Sequence, residues 1–69
     1  MKITDAIQLL QKIGSSSVIT PIERQIIERV INQAVKSGWV PEGIEYTHSI
    51  LEIADAIDAY RYFPVERGI

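Results

Sequence analysis

The chain contains no cysteine, so neither a disulfide nor a thiolate-held zinc ion can brace it. It has one histidine, no glycine-rich phosphate loop and no serine set in a nucleophile-elbow pattern, which leaves little equipment for catalysis. Long apolar runs are missing too. Leu9-Leu10 and Ile26-Ile27 are typical, far short of the 18 or so consecutive apolar residues that a membrane-spanning helix needs. The opening Met1-Lys2-Ile3-Thr4-Asp5 carries one basic residue, and Gln8, Gln11 and Lys12 interrupt the apolar positions that follow, which makes no signal-peptide core. The expectation is a cytoplasmic protein without membrane contact.

What the chain has instead is isoleucine: thirteen of them against three leucines, in 69 residues that are 46% apolar. That length suits one domain, and a domain this small buries only about 60% of the surface its unfolded chain exposes. The 23% of charged residues place it among globular rather than disordered chains. The net charge of −2 is unevenly spread: residues 1–20 and 21–38 are each +1, and residues 39–69 are −4. An acidic C-terminal half repels a phosphate backbone, so nucleic acid is disfavoured as a partner.

The hydrophobic spacing predicts three helices, over about 4–13, 21–37 and 45–62. Thr4 reads as the first N-cap and Gly14 as a left-handed stop, with Ile3, Ala6, Ile7, Leu10 and Ile13 on one face. Gly14-Ser15-Ser16-Ser17 reads as a flexible loop. Thr20-Pro21-Ile22-Glu23 is a capping box with proline at the first helical position, and Lys36 followed by Gly38 closes the second helix. On that helix Ile22, Ile26, Ile27, Val30, Ile31, Ala34 and Val35 fill an arc of roughly 200°, twice what one neighbour needs. Glu23 intrudes on this arc as part of the cap. Trp39-Val40-Pro41-Glu42-Gly43 reads as a turn, too long for a DNA-binding helix-turn-helix. The third helix has two possible starts. Ser49-Ile50-Leu51-Glu52 fits a capping box, but Tyr46 shares a face with Ile50, Ile53, Ala54, Ile57 and Tyr60, which favours the start near Glu45. Pro64 ends it near Tyr62.

The pattern therefore predicts an all-α fold, a small three-helix bundle whose short first helix packs on an antiparallel hairpin of the second and third, and which self-associates. Ile7, Leu10, Ile26, Val30, Ile50, Ile53 and Ile57 form the expected core, while Leu9, Val18, Ile19, Ile31, Val35 and Leu51 find no obvious place in it. His48, Glu52 and Asp55 stand at i, i+4 and i+7 and would share a face only on a continuous helix. Such triplets are commonplace on a solvated face, so no metal, cofactor or catalytic residue is expected.

All five aromatic residues fall in the C-terminal half, with Tyr60-Arg61-Tyr62-Phe63 gathering three rings and a guanidinium at a helix end. Tyr, Trp and Arg are the residues most enriched in binding hot spots. The leading expectation is a non-enzymatic interaction protein, a small regulator or inhibitor, that forms a homo-oligomer and binds a protein partner through Trp39, Tyr60, Arg61, Tyr62, Phe63, Ile31 and Val35. The competing class is a phage-type sequestering protein that holds an anionic, nucleotide-like ligand between subunits. There Trp39, Tyr60 and Tyr62 would stack and Arg61, Arg67 or Lys36 would meet the charge.

Overall fold

The structure is a computed structural model and describes residues 1–62. Three α-helices account for most of it: α1 (Ile3–Gly14), α2 (Pro21–Lys36) and α3 (Ile50–Tyr62), with a 3₁₀ turn at Ile44–Tyr46 between the last two. No strand is present among the described residues.

The N-cap of α1 lies two residues earlier than its sequence suggests. Lys2, in extended geometry, is the N-cap and makes no side-chain cap bond, so Thr4 lies inside the helix rather than before it. Gly14 is likewise not a left-handed stop, because among the described residues only Gly38 and Gly43 have positive φ. Its role is steric. A Cβ at Gly14 would come within 3.0 Å of Ile50 Cγ2 and 3.1 Å of Leu51 Cδ2, so glycine allows the end of α1 to lie directly on the start of α3. The serines after it are engaged rather than loose: Ser15 donates from its N–H and hydroxyl to the Gln11 carbonyl, and the Ser16 hydroxyl donates to the Val18 carbonyl.

Helix α2 is capped as its sequence specifies. The Thr20 N–H donates to Glu23 Oε1 at 3.0 Å and the Glu23 N–H donates to Thr20 Oγ1 at 3.2 Å. At the other end Gly38, at φ +77°, donates to the Val35 carbonyl and Trp39 donates back to Ala34, the double closure of a Schellman motif.

The start of the third helix resolves the other way from the expectation. The Ser49 N–H donates to Glu52 Oε1 at 3.0 Å and the Glu52 N–H to Ser49 Oγ at 3.2 Å, so the second capping box is real and α3 begins at Ile50. Residues 44–46 form a separate turn, entered through Gly43 at φ +85°. Tyr46, expected on the buried face of a longer helix, is exposed. The segment before it is no mere connector, because Val40 and Ile44 are both buried in the core.

Packing also departs from the hairpin expectation. Helix α1 is the centre, lying most extensively on α3 and less on α2, while α2 and α3 meet each other only marginally. The physical reason is the break at 47–49: α3 starts beside the end of α1 and follows α1, not α2. The core gathers Ala6, Ile7, Leu10 and Ile13 of α1, Ile27, Val30, Ile31 and Ala34 of α2, Val40 and Ile44, and Ile53, Ala54 and Ile57 of α3. Ile26 and Ile50, expected inside, are only half-buried against it. No polar side chain is buried among the described residues, so the interior is held by apolar burial and shape alone.

Candidate interaction surface

The residues singled out as a binding surface do not stay together. Ile31 is in the core and offers nothing to a partner in this fold. It belongs to the buried face of α2 with Ile27, Val30 and Ala34, the side that the rest of the core covers. Val35 and Trp39 are half-buried against the core at the end of α2, and Lys36 is exposed there. Tyr60 is half-buried and Arg61 and Tyr62 are exposed on the last turn of α3. Phe63 and Arg67 lie outside the described residues.

On that last turn the Arg61 guanidinium is already occupied. Its Nη2 lies 2.7 Å from Asp58 Oδ1 and donates to Tyr62 Oη at 2.9 Å, and its Cζ lies 4.6 Å from the Tyr62 ring centroid. Both charges are partly exposed, where such pairs are worth at most about 1 kcal/mol. An anion approaching Arg61 has to displace a carboxylate first. His48 is spent locally: its Nδ1 lies 2.7 Å from Thr47 Oγ1 in the connector ahead of α3, so it shares no helical face with Glu52 and Asp55. Among the described residues no group of His, Asp or Glu could hold a metal ion.

Among the described residues Glu23 and Glu52 are the carboxylates whose pKa is shifted, both downward from 4.5. The cause is foremost the backbone N–H of the cap residue, Thr20 or Ser49, and then its hydroxyl. A general acid needs the opposite shift, from burial or a nearby like charge.

The surface that the sequence underrated lies at the end of the molecule where α1 stops, α2 begins and α3 begins. Val18 and Ile22 are each 71% exposed, Tyr46 86% and Leu51 42%. Beside them a cleft of about 220 Å³ has Ile27 and Ile31 as its floor, Ile19 and Ile50 as walls and Arg24, Glu28 and Glu45 at its charged edges. This is below the 300–1,000 Å³ or so of a typical small-molecule site. A broader trough over Met1, Asp5, Gln8, Leu9 and Lys12 is walled, among the described residues, by α1 and its leading residue alone. The excess width of the α2 apolar arc is the sequence signal for Ile22, which sits at the arc's edge; the exposure of Tyr46 has no such signal, because its spacing matches the buried face of α3.

No helix among the described residues is long and apolar enough to cross a membrane. No family model, no curated protein and no solved structure matches this chain.

Proposed function

We propose that this chain is a non-enzymatic helical interaction protein that self-associates and holds a protein partner through exposed apolar and aromatic side chains. The observation that carries the reading is the exposure of Val18, Ile22 and Tyr46, each more than two-thirds open to solvent on a chain with a complete apolar core. Large apolar side chains left outside such a core are what partner surfaces are made of. The carboxylates with shifted pKa are consumed as helix caps, which favours binding over chemistry. Sedimentation equilibrium at micromolar concentration tests the self-association: the expected result is a species of at least twice the 7.8 kDa chain mass, and a monomer throughout overturns it.

The stack of Arg61 on Tyr62 is the one observation that favours a sequestered anionic ligand instead. Thermal melts with a panel of mono-, di- and cyclic nucleotides separate the readings. A ligand at a hundred times its Kd stabilises the fold by about 2.7 kcal/mol, several degrees or more in Tm for a domain this small. The interaction reading expects no shift with any member of the panel.

A further inference from the structure

We infer that copies of this chain join by laying the outer stripe of α2 from one copy on the outer stripe of α3 from another. This rests on the self-association proposed above and adds the surfaces that make it.

On α2, Ile22, Ile26, Arg29 and Gln33 follow one another at i, i+4, i+7 and i+11; on α3, Leu51, Asp55, Asp58 and Tyr62 do the same. Both rows stand aside from the buried faces, which hold Ile27, Val30, Ile31 and Ala34 on α2 and Ile53, Ala54 and Ile57 on α3. At about 100° per residue each row is centred roughly 120° from the middle of its helix's buried arc. Ile22, Arg29, Gln33, Leu51, Asp55 and Tyr62 are exposed, and Ile26 and Asp58 half-exposed.

Charge complementarity identifies a second copy as the occupant. The α2 stripe carries Arg29, with Lys36 two turns further along the same side, and no carboxylate. The α3 stripe carries Asp55 and Asp58. Arg29, Lys36 and Asp55 have no ion-pair partner among the described residues, and Asp58 shares a partly exposed pair with Arg61. Within one chain both helices pack on α1 and barely on each other, so a stripe is free to meet its complement on another copy. The spacing fits in either direction. With Ile22 opposite Leu51 in parallel, Arg29 falls opposite Asp58; with Ile22 opposite Tyr62 in antiparallel, Arg29 falls opposite Asp55. Each register sets apolar side chains at one end of the contact and an opposite-charge pair at its middle, the arrangement that fixes partner choice between helices.

A charge-swap experiment on the full chain decides it, using Arg29→Glu/Lys36→Glu as one variant and Asp55→Lys/Asp58→Lys as the other. Circular dichroism first verifies helix content, and sedimentation gives the mass of each alone and of the equimolar mixture. Each variant alone should associate at least tenfold more weakly than the original chain, since like charges then face each other. Mixing them should restore association, because every contact in the mixed species is again opposite in sign. Should a reversal variant lose its helices, Arg29→Ala and Asp55→Asn/Asp58→Asn replace it, each expected to weaken association and to flatten its salt dependence. If the original chain associates but the variants do so equally well, or if mixing restores nothing, the α2-on-α3 contact is wrong while self-association stands. If the original chain is monomeric, both fall.

Discussion

Gly14 has little room to change where the end of α1 meets the start of α3. Ile50 Cγ2 and the Leu51 side chain occupy the space a side chain would enter, and Ile50 is β-branched with little rotamer freedom to yield. Gly14→Leu brings a good helix former into this gap, so propensity cannot account for a loss. Unfolding in urea should show a drop of about 1–3 kcal/mol from overpacking, at unchanged m. The carboxylates of the two capping boxes set a pH dependence with a definite sign. Glu23 and Glu52 have folded-state pKa values below 4.5, so the unfolded chain takes up their protons first on acidification. Their stabilisation is complete above about pH 4.5 and is lost as pH falls through the lowered folded values. Thermal melts between about pH 6 and about pH 3 should show a falling Tm, and Glu23→Ala/Glu52→Ala, starting lower, should lose less over the same interval.

At the scale of elements the three helices differ in how they are begun. Helices α2 and α3 carry reciprocal caps, and α1 has none: Lys2 sits at the N-cap in extended geometry, φ −79° and ψ 148°, with no acceptor to offer. Lys2→Asp supplies one, and chemical denaturation should show a gain of about 0.5–1 kcal/mol. Ser49→Ala removes one and should cost about 1 kcal/mol. These positions are exposed, so the opposite signs report capping rather than packing. The capping boxes were legible in the sequence because they are local, each formed by four consecutive residues. The true start of α3 was obscured because Tyr46 mimics the helical spacing of the buried face, and periodicity alone cannot see that residues 47–49 leave the helix.

For the whole molecule, the position of α1 between α2 and α3 makes its buried face the point of greatest sensitivity. Leu10 is fully buried there, and Leu10→Ala should cost about 2–5 kcal/mol. Domains of this kind have only about 5–15 kcal/mol in total, so the variant's melt should be broad and low, or absent. Association belongs to this scale as well. The apolar surplus expected from the width of α2 is smaller than it looks on a wheel, since Ile31 is taken into the core and Leu9, Ile19 and Val35 pack against it. Among the described residues the large apolar side chains left outside are Val18, Ile22, Tyr46, Leu51 and Tyr62, divided between one end of the bundle and the two outer stripes, and Met1 ahead of α1. Adding salt should weaken the association of the original chain if Arg29 and the α3 aspartates meet across it, because exposed charges are screened within about 8 Å at physiological ionic strength.

The 3₁₀ turn at Ile44–Tyr46 was not legible in the sequence, whereas three α-helices, both ends of α2 and five of the seven expected core residues, Ile7, Leu10, Val30, Ile53 and Ile57, were. These follow from spacing and capping chemistry, which act over three or four residues. The packing of segments distant in sequence is what makes α1 the central helix, Gly14 a contact rather than a turn residue, and Val40 and Ile44 interior, and what buries Ile31 while leaving Ile22 and Tyr46 exposed. Each of these depends on which segment covers which. A helical wheel shows how wide an apolar face is, whereas the neighbours that fold against it determine how much of that face is left for another molecule.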